Sequence, residues 1–188
     1  MDINEAQRDM RRGYVSGATG ILASSLAWFA ATYTAWRVSP EQAVWVLFAG
    51  GVLIYPVSVL ISKGLGASGA FGKSNPLGSL AAAGTAWLIF SLPLAYAASL
   101  QRIAWFFPAM MLIIGGRYLT FGTLYGMRLY WAMGLALAAA GFLMGQAGSL
   151  PAISALVGAS IEGVFALLAF ALHARWSRSQ GATTPAGA

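Results

Sequence analysis

Six stretches of the chain are apolar at almost every position, and short polar or glycine-rich breaks separate them. They run from about Val15 to Trp36, Ala43 to Ser62, Pro76 to Ser99, Ile103 to Phe121, Leu129 to Ala147 and Pro151 to His173. A helix that crosses the hydrocarbon core of a bilayer needs roughly 20 such residues. The breaks RVSPEQ, KGLGASGAFGKSNP, SLQR and GSLP are rich in the Gly, Pro and charged residues that end helices and turn the chain. The pattern predicts an all-α integral membrane bundle of six transmembrane helices, forming one domain over residues 1–176. The N-terminal MDINEAQRDMRRG reads as a short cytoplasmic helix or tail, and SRSQGATTPAGA, residues 177–188, as a disordered cytoplasmic tail. No internal repeat is apparent. Gly50-Gly51 and Gly115-Gly116 look alike but fall in the second and fourth stretches, whereas an inverted three-plus-three repeat would pair the second with the fifth.

Composition sharpens this picture. Of 188 residues, 59% are hydrophobic and 9% charged, more apolar surface than a soluble chain of this size could cover. Lipid is the expected solvent. With no cysteine and a single histidine, His173, the chain offers no disulfide framework, thiol chemistry or His-rich metal site, and no cofactor is implied. The net charge of +6 has a topological reading that needs no nucleic acid. With a cytoplasmic N-terminus, Arg8, Arg11, Arg12, Lys63, Lys73, Arg117, Arg128, Arg175 and Arg178 lie on or toward the cytoplasm, and only Arg37 and Arg102 lie outside. An even number of spans then puts both termini in the cytoplasm. Trp36, Trp45 and Trp105 fall at the outer interface, and Tyr14, Tyr130, Trp131 and Trp176 at the inner one. Trp28 and Trp87 sit near mid-span, and are expected to pack inside the bundle or to line a cavity.

One motif invites a different reading. Ala67 to Ser74, ASGAFGKS, fits a P-loop if Ala is allowed at the first position. A P-loop needs a buried strand before it and a helix after it, so that backbone amides face the phosphates. Here another apolar span precedes it, and no later strand ends in an acid that could hold magnesium. The segment reads instead as a cytoplasmic loop. Lys73 supplies positive charge, and Ser74-Asn75-Pro76 start the third span through a cap and a first-turn proline. Its free amides are a minor candidate for binding an anion or a lipid headgroup.

The candidate chemistry lies in the membrane. Glu162 sits near the middle of ISALVGASIEGVFALLAF, where a carboxylate costs a few kcal/mol even on lenient insertion scales. Ala155, Gly158, Ala159, Ala166 and Ala169 share its helix face, and Val157, Ile161, Val164, Leu168 and Leu172 form the opposite one. Small residues let helices approach closely, so Glu162 should face the interior and the bulky face lipid. Arg117, toward the cytoplasmic half of the fourth span, is the expected partner, with Gly115-Gly116 letting the fourth and sixth helices approach. The other place for Arg117 is the inner headgroup layer, reached by snorkelling. Interior prolines at Pro56, Pro93 and Pro108 can kink helices and free carbonyls, though membrane helices also tolerate proline routinely. Gly122-x-x-x-Gly126 and Gly141-x-x-x-Gly145 could permit close packing, within the bundle or between protomers.

Taken together, NEAQRDMRRGYVSGATG, KSNPLG, WFFPAMMLIIGGRY and LYGMRLYW resemble a family of small, uncharacterised bacterial membrane proteins, over nearly the whole chain. The resemblance implies a bacterial inner-membrane protein of several helices. It implies no reaction or substrate, and draws attention to Asn75, Pro76, Arg117 and Tyr118. The function expected is a small transporter or channel-like protein for an ion or small solute, with Glu162 and Arg117 at its polar centre. Tyr118, Tyr55, Trp28 and Trp87 are secondary candidates for lining a pathway. Self-association into a homo-oligomer is compatible with so small a bundle. The alternative is a non-transporting structural or accessory protein in which Glu162 and Arg117 form a helix-packing ion pair. A lipid-modifying enzyme, which would usually need convergent acids, histidine or a metal, fits least well: Asp2, Glu5, Asp9 and Glu41 lie outside the spans and His173 lies about three helical turns from Glu162.

Overall fold

The computed structural model of the protein describes residues 1–182. It consists of seven helices: α1 (Ile3–Gly13), α2 (Ala18–Arg37), α3 (Pro40–Gly64), α4 (Leu77–Gln101), α5 (Phe106–Tyr125), α6 (Leu129–Ala147) and α7 (Pro151–Ala182). Short 3-10 turns, Val15–Gly17 and Ile103–Trp105, lead into α2 and α5. Among the described residues there is no strand, and six helices are long and apolar enough to cross a membrane. Two boundaries differ from expectation. Helix α5 runs on to Tyr125, and α7 continues through residues 177–182, so the expected disordered tail is helical there. Residues 183–188 lie outside the described residues. At 1.5 Å per residue the 32 residues of α7 extend roughly 48 Å, well beyond a hydrocarbon core of about 30 Å.

The helix ends follow from local chemistry. Ser39 accepts from the Gln42 amide at 3.1 Å, with Pro40 at the first helical position, and so starts α3. Helices α5 and α6 each stop at a glycine in the left-handed region, Gly126 at φ 59° and Gly148 at φ 60°. Pro56 and Pro93 lie inside α3 and α4. Pro108 does not interrupt a helix as expected. It is the third residue of α5, where its missing amide leaves no intrahelical bond unmade.

In space the helices follow one another as α3, α2, α7, α6, α5 and α4. Helix α2 is the most enclosed, against α3 on one side and α7 on the other. Helix α4 packs chiefly on α5 and leaves most of its surface outside. It meets α3 at one end, where Trp45 and Phe48 stack around Tyr96 with ring centroids 5.6 and 6.4 Å away. Helices α5 and α6 touch backbone to backbone: a Cβ on Gly115 would lie 2.7 Å from the Gly134 carbonyl oxygen, and one on Gly141 2.7 Å from that of Pro108. Gly115 therefore serves the contact with α6 and not, as expected, an approach to the last helix. Large apolar side chains such as Val52, Leu60, Phe90, Leu94 and Leu167 cover the outside, as on a protein solvated by lipid.

The two ends of the bundle differ. One carries α1, the loop of residues 65–76, the α5–α6 turn and the end of α7, with Arg8, Arg11, Arg12, Lys63, Lys73, Arg128, Arg175 and Arg178; this is the basic end. The far end carries the other turns, with Arg37 and Arg102, the latter packed beside Gly148. Helix α1 begins with a reciprocal cap in which the Glu5 amide donates to Asp2 and the Asp2 amide to Glu5. It is then fastened across the basic end. Gln7 Nε2 donates to the Thr123 carbonyl at 2.8 Å, and Arg11 donates to the carbonyls of Tyr125 and Gly126 at 2.5 and 2.8 Å. Asn75 Nδ2 donates to the Ala6 carbonyl at 3.0 Å and to the Asp9 carboxylate at 2.7 Å.

The Ala67–Asn75 loop is thus no phosphate cradle. It follows a helix, its Gly72 amide donates to Asp9 at 2.8 Å, and the Leu77 amide donates to Asn75 Oδ1 at 2.9 Å. Asn75 starts α4, whereas Lys73 and Ser74 are exposed and Ser74 caps nothing. The amides of Gly72 and Leu77 are thus taken by groups of this chain.

Candidate functional site

Glu162 is fully buried, on the face of α7 that also buries Ala155, Ala159, Ala166 and Ala169. The opposite face exposes Val164, Leu168 and Leu172. Small residues bring the neighbours in. Ser25 of α2 donates to the Ala159 carbonyl at 3.0 Å, and a Cβ on Gly158 would lie 2.9 Å from the Trp28 ring. The carboxylate accepts from the hydroxyl of Tyr118, on α5, at 3.4 Å. That contact is long for an O–H···O bond and therefore weak. Ser24 and Trp28 of α2 face the same group. Even so, Glu162 Oε2 and Trp28 Nε1 have no hydrogen-bond partner among the described residues. Three helices, α2, α5 and α7, thus enclose a carboxyl group that is only half satisfied.

Arg117 is not its ion-pair partner. Its guanidinium turns to α4, where Nη2 donates to Thr85 Oγ1 at 3.4 Å, and it lies 5.3 Å from the centre of the Phe121 ring. Arg117 Nε is buried and unbonded. The reason is geometric. Successive residues of an α-helix point about 100° apart, so once Tyr118 faces α7, its neighbour Arg117 must face elsewhere. The other candidates divide. Trp28 is buried beside Phe107, at 5.9 Å between ring centroids, and borders Glu162 as described. Tyr55 and Trp87, each 65% exposed, lie on the outer faces of α3 and α4 and line nothing inside the bundle.

A column of aromatic rings connects the glutamate with the basic end. Tyr118 stacks on Tyr130 at 6.2 Å, and Tyr130 on Tyr125 at 5.3 Å. Tyr130, the second residue of α6, is wholly buried within the protein. Its hydroxyl donates to the Ser16 carbonyl at 2.6 Å, and Ser16 Oγ lies 2.8 Å from His173 Nδ1. Ser16 belongs to a left-handed turn, with φ of 51° at Val15, 54° at Ser16 and 83° at Gly17. This is costly for a β-branched valine and persists because the surroundings impose it. Sequence reasoning missed this cluster, since Ser16 and His173 are 157 positions apart. It also missed Ser24-Ser25, although two adjacent hydroxyls at the depth of Glu162 were a usable signal. The bond between Asp9 and Asn75 joins two of the segments that carry the family resemblance.

These features define a class: a protein all-helical over the described residues, with six membrane-compatible helices, three of which enclose a buried, incompletely bonded glutamate. Residues 3–172 match the Family of unknown function (DUF7010), and the chain belongs to that family. No curated protein and no solved structure matches it.

Proposed function

We propose that this is a small bacterial inner-membrane protein that moves protons or another small cation, with Glu162 as the binding site and both termini in the cytoplasm. One observation carries the reading: a carboxyl group buried at mid-span that, among the described residues, has one oxygen unbonded and no ion-pair partner. Such a group gains from binding a proton or a small cation, either of which removes the uncompensated charge. The column Tyr118, Tyr130, Ser16 and His173 supports an exchange route toward the basic end. Arg117, next to Tyr118 on α5, adds a charge that reaches Glu162 only at longer range. The excess of Lys and Arg at the basic end supports a cytoplasmic location for that end.

A second reading is favoured by the closeness of the helices around Glu162. The Ser25 bond to Ala159, the Trp28 contact with Gly158 and the Tyr118 bond would suit a packing centre in a non-transporting accessory protein. Dissipation of a pH gradient in sealed proteoliposomes separates the two. Transport predicts flux with the wild-type protein and its loss in Glu162→Gln, at equal reconstitution and unchanged helix content. Absence of flux in both would sink proton transport, and absence of sodium and potassium flux in the same vesicles would leave the packing role.

A further inference from the structure

We infer that the groove between α1, the α5–α6 turn and the end of α7 binds the phosphate headgroup of an anionic phospholipid, with an acyl chain on its apolar wall. The site is separate from Glu162 and does not depend on transport. A cavity of about 340 Å³ opens there, lined by the polar Arg11, Ser16 and Arg128 and by the apolar Met127, Leu129 and Leu172. A second cavity of about 230 Å³ adjoins it, shares Arg11 and Trp176, and adds Arg8 and Gln7. Among the described residues no carboxylate lines either cavity. The nearby acids are engaged elsewhere: Asp2 and Glu5 cap α1, and Asp9 holds the loop at Gly72 and Asn75.

The arginines are set for a phosphate. Arg11 is fixed by its bonds to the Tyr125 and Gly126 carbonyls, which use Nε and Nη2 and leave Nη1 unused, and its guanidinium lies 5.5 Å from the Trp176 ring. Arg8 and Arg128 are exposed, and neither side chain makes a bond to another of the described residues. The chemistry matches one occupant. Three cations lie at the end of the spans, above an aliphatic wall that continues toward the lipid-facing side of α7. A free anion would satisfy the cations and leave that wall uncovered. Basic pockets at the ends of membrane helices recognise lipid phosphate in the same way.

Native mass spectrometry of the full chain, released from detergent with equal phosphatidylglycerol and phosphatidylcholine, tests the assignment. The wild type should retain phosphatidylglycerol preferentially. An arginine near a membrane surface is worth about fivefold in anionic-lipid affinity, so Arg128→Gln should reduce the preference by about fivefold and Arg8→Gln/Arg128→Gln by about 25-fold. Both variants keep Arg11 and its carbonyl bonds, and the single exposed change carries the test if the double variant does not fold. Equal retention of the two lipids by the wild type, or an unchanged preference in Arg128→Gln, would overturn the site. Inorganic phosphate binding as tightly as phosphatidylglycerol would also overturn it, because the acyl wall would then contribute nothing.

Discussion

At the scale of single residues, Glu162 poses the sharpest energetic question. Its placement costs a few kcal/mol, while a well-formed hydrogen bond to a charged group returns about 1.5–3 kcal/mol. The Tyr118 contact at 3.4 Å returns less than that, so the group keeps an unmet demand for a proton or cation. Tyr118→Phe should therefore shift the carboxyl C=O stretch in the infrared spectrum, and Glu162→Gln should abolish that band. An unshifted band in Tyr118→Phe would mean that the tyrosine does not touch the carboxyl group. Asn75 offers a second test. Its amide group bonds Ala6, Asp9 and the Leu77 amide together. Asn75→Ala should cost about 2–4 kcal/mol in total, read as faster hydrogen exchange over α1 and the first turn of α4. The inward direction of Glu162 was legible in the spacing of its alanines. The direction of Arg117 was not, since either of two adjacent residues could have taken the side facing α7.

Among the elements, the contact of α5 with α6 depends on glycine because two backbones meet there. Gly134→Leu should lower stability by roughly 1–3 kcal/mol or more, through overpacking against the Gly115 carbonyl and Leu119. Gly116→Leu, one position along α5, should be nearly neutral, since a Cβ there meets nothing within 4 Å. A thermal melt in detergent compares the two, and equal losses would refute this account of the interface. Helix existence and approximate span lengths were readable from apolar runs alone. Which face of α3 or α4 turns inward was not, because lipid is as apolar as a bundle core and the usual amphipathic stripe disappears. Tyr55 and Trp87, expected inside and found outside, show the consequence. Helix α1 is the opposite case. Its polar and apolar faces are distinct, and Ala6, Met10 and Gly13 form the buried one.

For the whole molecule, the proposed orientation makes a direct prediction. The chain has no cysteine, so single cysteines report position without background. On intact cells, a membrane-impermeant maleimide should label Gln101→Cys at the far end and spare Ser68→Cys at the basic end. The reverse pattern would invert the topology. The sequence by itself determined the number of helices long and apolar enough to cross a membrane and the position of the one acid near the middle of such a helix, because these depend on composition and length along the chain. It also determined that charge is asymmetric between the two ends. Only the tertiary structure decided which side chains meet: Tyr118 and not Arg117 at Glu162, Ser16 with His173, and Asn75 with α1. Those outcomes turn on helix rotation and neighbour order, and a uniformly apolar sequence in an apolar solvent leaves both unspecified until the helices pack.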